Sequence, residues 1–576
     1  MPVLNLSELN IVVSVAGGFL LAFGIVSVKL KQTWYLGEAL PAMLFGIILG
    51  PMAGRLLQTE KWGTATEGQT RDITLGLTRV VIGLQLVIVG YQLPAQYNVK
   101  RIKELFMCLI PVMTIMWLAT TLCMLATIPK ITLLAGLAIA SCVTCTDPVL
   151  SQAVAKGPFA DKYVARHLRE IISAEAGLND GFGFPFLMLA VYLMRHASGK
   201  DTESTTNSSD TGHNLMARAE DVSRQGGGPG VAIKNWVLET WLYFVVLSAV
   251  YGIVVGTLAR YGIKYALRKR WIDGESYVLF PTALGLFLVG TCGAIGVDDL
   301  LSCAVAGHAL NWDGEYLRET ERRHDEVNSC IDVLLNFGGF MYIGAIIPWS
   351  EFHDPEGTGI TIGRLFGMAF MVLVLRRIPA IFMAYKLMPA VVANWREALF
   401  MGYFGPIGIG AVFYLEHARH LDDLVRALGP CIYFLVVFSI IVHGLSIPAL
   451  AVAYKYMGVQ PIKEDSVEIR RKSLRQATPS NAVDGDDDYF IAYNRFSRPV
   501  FDPEDLPFSR ANSMARSIAP SIRPSFSHSR PPPENRTGAD ANFSNGDMEK
   551  PRRTSRTIRY DDDETRGRTI KYDDDV

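Results

Sequence analysis

The chain has 576 residues, 50% of them hydrophobic and only 19% charged, and its 55 Lys and Arg balance 56 Asp and Glu to a formal net charge of −1. A phosphate-binding surface needs concentrated basic charge, so this balance excludes nucleic acid as an expected partner. Mean hydropathy stays positive at +0.22 although the C-terminal fifth is polar, which leaves a strongly apolar body with a soluble tail.

A membrane-spanning helix needs about 20 mostly apolar residues. Thirteen candidates follow one another near 9–29, 34–53, 73–93, 105–127, 131–154, 167–194, 235–259, 276–294, 296–311, 328–348, 361–386, 396–416 and 430–456. The first lacks a basic leader and a small-residue cleavage site and reads as a retained span. The expected fold is therefore an all-α polytopic membrane protein over residues 1–457. All eight cysteines lie in or beside apolar segments, where a free thiol behaves as a small hydrophobe. Cys142 and Cys145 have metal or redox spacing but no second ligand pair, and read as core packing.

Basic residues near span ends are retained on the cytoplasmic side. Loops after odd-numbered spans carry Lys29 and Lys31, then Lys100, Arg101 and Lys103, then Lys156, Lys162, Arg166 and Arg169, then Arg260 to Arg270, then Arg318, Arg322 and Arg323. Loops after even-numbered spans are poorer in them, so the N-terminus is expected outside and the C-terminus inside. The loop after span six holds the sequon Asn207-Ser208-Ser209, which this count places outside. From 458 to 576 Ser, Arg, Pro and Asp dominate, and too few apolar residues remain to offset chain entropy. A largely disordered cytoplasmic tail is expected, either plainly solvated or regulatory. The near-repeats Arg556–Glu564 and Arg568–Val576, and the basophilic sites before Ser473 and Ser555, support binding by kinases or regulatory proteins.

Two carboxylates lie within the apolar stretches. A charged side chain at the centre of a bilayer costs roughly 2.5–3.5 kcal/mol even on lenient scales, so such groups face a cavity or partner and usually serve an ion path. In Thr146-Asp147-Pro148 the proline removes a backbone donor and should break the helix; broken helices at membrane depth survive where they line a cavity. In span six Glu175 and Asn179 share a helix face, so Asn179 can hydrogen-bond Glu175 while Asp180 points elsewhere, toward the broken helix. A buried carboxylate that accepts either a proton or a cation is sufficient for exchange, if it is exposed alternately to each side.

The stretches TCTDPVLSQAVAKG and HLREIISAEAGLNDGFGFPF resemble the paired core helices of monovalent cation/proton antiporters, and the fungal plasma-membrane sodium/proton branch in particular. PAMLFGIILGP, GVDDLLSCAVAGHALNWDG, IDVLLNFGGFMYIGAIIPW, RRIPAIF and FGPIGIGAVFY extend the resemblance over residues 10–457. It implies about thirteen transmembrane helices with crossed broken helices, inverted repeats and a homodimer. It further implies Asp180 as the principal cation and proton carboxylate, with Asp147 and Thr146 on the crossing broken helix and Asn179 as a neutral partner. Transported Na+ would be held by Asp180 and Asp147. The resemblance also implies a structural ion pair of Glu175 with Arg377, for which Arg376 is the rival. Asp298, Asp299 and Asp332 match acidic positions that affect transport, or are carboxylates solvated at helix ends.

Ala176 and Gln92 depart from the family pattern, the first by removing a hydroxyl and the second by replacing Glu. The implied activity is antiport of cytosolic Na+, or K+ or Li+, against H+ at the plasma membrane, contributing to salt tolerance and to cation and pH homeostasis, with no enzymatic reaction and no cofactor. A cation channel or another ion-coupled transporter is the alternative; an intramembrane acid/base enzyme is the remote one.

Overall fold

The computed structural model describes residues 7–63, 68–196, 227–323, 327–418 and 426–462, with short stretches at 467–470, 483–484 and 489–492. Asn207, the tail sequons, the terminal near-repeats and both kinase-site serines lie outside these residues.

The described chain is almost wholly helical, and helices occupy all thirteen expected segments. They are α1 (Glu8–Val28), α2 (Ala39–Leu49), α3 (Gln69–Gln92), α4 (Ile102–Thr127), α5 (Leu133–Cys142), α6 (Pro148–Lys156), α7 (Arg166–Arg195) and α8 (Gly228–Lys269). There follow α9 (Gly274–Ile295), α10 (Asp299–Leu310), α11 (Val327–Ile346), α12 (Ile362–Leu375), α13 (Ile378–Ala384), α14 (Trp395–Tyr403), α15 (Ile409–Ala418) and α16 (Leu428–Met457). Among the described residues, nine helices are long and apolar enough to cross a membrane. The fifth, eleventh and twelfth segments are each divided in two. The seventh is longer than its apolar part: α8 runs 42 residues, or about 63 Å, because no breaker interrupts it between Val231 and its basic end.

Burial sorts these helices. In α3 the run Val81–Tyr91 is buried without interruption, as befits a helix apolar on all sides, and α7, α9, α10 and α15 surround it. In α1 only 11% of the apolar stretch is buried, and in α8 only 22%, which leaves broad apolar faces turned outward. Small residues bring the inner helices close. A methyl group on Gly252 or Gly256 would strike the backbone of α10 at Ser302 and Ala306, and one on Gly90 would strike Ala304. Gly296, at φ 79°, ends α9 in the left-handed turn and aims the chain into Asp298.

Beyond α16 the sequence predicts no packed structure, yet three short strands form an antiparallel sheet: β1 (Val467–Arg470), β2 (Val483–Asp484) and β3 (Tyr489–Ala492), in the order β1-β3-β2. Each strand holds Val, Ile, Tyr or Phe, the types that suit a pleated surface. The chain leading to them is tied down where Ile462 N–H donates to the Lys162 carbonyl at 2.8 Å.

Candidate ion-binding site

The first break forms where the sequence demands it. Helix α5 ends at Cys142, the chain unwinds over Val143–Thr146, and Pro148 opens α6 with Asp147 as its N-cap. Asp147 Oδ1 accepts from Leu150 N–H at 2.9 Å. A second break, which the sequence reading did not locate, lies in Phe404-Gly405-Pro406-Ile407-Gly408 between α14 and α15.

The two breaks cross and are fastened to each other. Asp147 N–H donates to the Pro406 carbonyl at 2.9 Å, and Asp147 Oδ2 accepts from Ile409 N–H, the first residue of α15, at 2.6 Å. Asp147 therefore serves the N-termini of both half-helices, where backbone dipoles favour an anion. Arg376 does the converse. Buried, it donates to the carbonyls of Val143 and Gly405, at the C-terminal ends of α5 and α14, and reaches Cys145 O at 3.5 Å. One carboxylate thus compensates two N-termini and one guanidinium two C-termini.

Helix α7 crosses beside this junction. Asn179 Nδ2 donates to Thr146 Oγ1 at 2.5 Å, not to Glu175 as its spacing suggested, because Glu175 is taken by a stronger partner. That partner is Arg377, which meets Glu175 through two parallel bonds of 2.7 Å and also donates from Nε to Met401 O. Arg376 makes no contact of this kind with Glu175. Asp180 is completely buried, and neither of its carboxylate oxygens has a hydrogen-bond partner among the described residues. It faces the start of α15, where a methyl on Gly410 would come within 3.0 Å of Oδ1, and Tyr414 O–H donates to its main-chain carbonyl. The negative charges of Asp147 and Asp298 bear on Asp180.

The remaining acidic candidates lie on other helices. Asp298 caps α10, accepting from Leu301 N–H at 3.0 Å and donating its own N–H to Ser248 Oγ, while Asp299 pairs with Arg79 at 2.7 Å. Asp332 lies on α11 and accepts from Gln85 Nε2 at 3.1 Å. It lines a cavity of about 340 Å³ that is also lined by Pro148, Val149 and Leu150, the first turn of α6. Gln92 lines the same cavity, and Ala176 is buried within α7. Among the described residues no cluster of three His, Cys, Asp or Glu side chains could hold a resident metal. Sequence reasoning passed over Arg376 as a tie between half-helices, Tyr414, and the second break.

A family model described as sodium/hydrogen exchanger, transmembrane, matches residues 17–453. A probable Na+/H+ antiporter of Schizosaccharomyces pombe is 36% identical over 77% of this chain and 56% of its own length, and an Na+/H+ antiporter of Saccharomyces cerevisiae 35% identical over 77% and 44%. The chain thus spans about half the length of these relatives, whereas another S. pombe Na+/H+ antiporter, 32% identical, is covered over 95% of its length. The structure of the sodium proton antiporter MjNhaP1 from Methanocaldococcus jannaschii superposes with a TM-score of 0.53 at 15% identity, over 78% of this chain and all of that one, which shows a shared fold. With a family match across its whole helical body, the chain belongs to the transmembrane sodium/hydrogen exchanger family.

Proposed function

We propose that this chain is a secondary antiporter that moves Na+ in one direction across a membrane and H+ in the other, with Asp180 carrying one or the other. The observation that supports this most is the state of its carboxylate: buried, with neither oxygen bonded among the described residues, against two crossing broken helices. Asp147 is engaged by two backbone amides and Glu175 by Arg377, so Asp180 is the acidic group at the junction whose charge the surrounding bonds leave uncompensated. A proton on Asp180 and a cation beside it exclude each other, which couples the two flows. Asp147, Thr146 and Asn179 complete the cation's surroundings, and the relatives named as Na+/H+ antiporters support Na+ as the cargo; K+ or Li+ are further candidates.

The 340 Å³ cavity is lined by Lys31, Gly157 and Asn328, which flank loops rich in Lys and Arg, so we take it as the cytoplasmic approach, with the N-terminus outside and the C-terminus inside. Residues 1–457 form the exchanger and 458–576 a cytoplasmic regulatory tail, in a homodimer at the plasma membrane. The test is a pH jump in proteoliposomes bearing the full chain. Wild-type protein moves protons when Na+ is added, and Asp180→Asn does not, though it is recovered folded at wild-type yield. Proton movement driven by Na+ in that variant would overturn the assignment.

A further inference from the structure

The cavity beside the first turn of α6 carries a line of bonded polar groups in its lining. Lys31 pairs with Glu38 Oε1; Glu38 Oε2 accepts from Asn336 Nδ2 at 3.1 Å; Asn336 Oδ1 accepts from Gln85 Nε2 at 2.5 Å; and the same nitrogen donates to Asp332 Oδ1 at 3.1 Å. Each of these side chains lines the cavity. The chain of bonds spends the donors of Gln85 but leaves its acceptor unused. Gln85 is 2% exposed, and its Oε1 has no hydrogen-bond partner among the described residues. A buried amide oxygen without a partner is costly unless a hydrogen-bond donor or a cation meets it.

The charge on this wall favours a cation as that something. Among the described lining side chains two carboxylates, Glu38 and Asp332, accompany one ammonium, Lys31, and a cleft with low-dielectric sides concentrates ions of the sign opposite to its excess charge. Space is not limiting, since 340 Å³ accommodates roughly ten waters at about 30 Å³ each, enough for a hydrated ion. Oxygen donors of this kind, an amide carbonyl beside a carboxylate, suit hard cations. The first turn of α6, capped by Asp147, lines the same cavity.

We infer that Gln85 Oε1 and Asp332 form a second alkali-cation site, a waiting station on the cytoplasmic approach where Na+ sheds part of its hydration before reaching Asp180. This rests on the exchanger reading given above. The station sets the apparent affinity for Na+, and Asp180 sets whether exchange happens at all.

The test uses the full chain. In proteoliposomes Gln85→Leu removes the oxygen, together with the amide donor to Asp332 and Asn336, without touching charge, and Asp332→Asn removes the charge without touching size. Loss of one charge-assisted ligand is expected to raise KM for Na+ about tenfold in each, with the maximal rate changed far less. Radiosodium binding to detergent-solubilised Asp180→Asn should persist in saturable form and vanish in Asp180→Asn with Gln85→Leu. A raised KM in Asp332→Asn with wild-type KM in Gln85→Leu would reduce the wall to long-range steering and overturn the station. Absence of saturable binding in Asp180→Asn would overturn it as well. Exchange surviving in Asp180→Asn would instead overturn the underlying reading, so the two failures are separable.

Discussion

Arg377→Ala examines the bond between α7 and the turn before α13. The pair is bidentate at 2.7 Å, and its side chains are only 3% and 1% exposed, so removing the guanidinium strands a carboxylate in the interior. Breaking a buried pair from one side costs about 3–5 kcal/mol, and Arg377 also gives up its bond to the Met401 carbonyl. Glu175→Ala should cost a similar amount for the mirror reason. The double variant strands neither charge, so its loss should fall short of the sum of the single losses by about 2–3 kcal/mol. The measurement is reversible unfolding in mixed micelles titrated with SDS, followed by far-ultraviolet circular dichroism and tryptophan fluorescence. Losses that simply add would show that Glu175 and Arg377 are not coupled, and the pairing would then have no energetic role. Because the pair does not touch Asp180, the fraction of each variant that folds should retain exchange that Asp180→Asn abolishes.

Three further outcomes are expected. Gly408→Ala places a methyl group onto the Asp147 carboxylate; losing the bond to Ile409 N–H, worth about 1.5–3 kcal/mol as a charge-assisted contact, should slow exchange in vesicles about 10- to 100-fold, and wild-type rates would show that the fastening is dispensable. Arg376→Gln should lower the yield of folded protein more than Arg376→Lys, since each carbonyl left unsatisfied costs about 1–3 kcal/mol; size-exclusion profiles of the two variants decide this, and equal yields would refute it. Outside the membrane, Asp354 accepts from the amides of Gly357 and Thr358 at 2.9 and 3.0 Å, which hold its carboxyl below the usual range. A depressed value means that the loop's hold is complete above the ordinary Asp value of about 3.9 and is lost as pH falls through the lower folded one. Limited proteolysis of this loop should therefore be slow at neutral pH and faster in Asp354→Asn, and equal rates would refute the role.

The sequence exposed one half of the site better than the other. Asp147 beside Pro148 declares a broken helix, because the charge needs a partner and the ring removes a donor. Phe404–Gly408 does not, since its glycines and proline sit in an apolar run with no charge to mark depth; the usable signal was a second interrupted segment answering the first. Two adjacent arginines in one span could not be apportioned by helix spacing. The structure separates them because the helix itself stops there, with Arg377 at the N-cap of α13 and Arg376 at the end of α12. Asn179 satisfied the spacing rule for meeting Glu175 and still went elsewhere, because a guanidinium outcompetes an amide for a carboxylate. Nor could the apolar count foresee Gln85, whose significance lies in one unmatched oxygen.

The division of labour between Asp147 and Arg376 makes the centre electrically self-contained. Every half-helix end at the crossing is matched by an ion bound covalently to the chain, so no passenger is required to hold the knot shut. On the exchanger reading proposed above, such a junction would keep its form whichever ion is aboard, as a single rigid keystone among the helices around it.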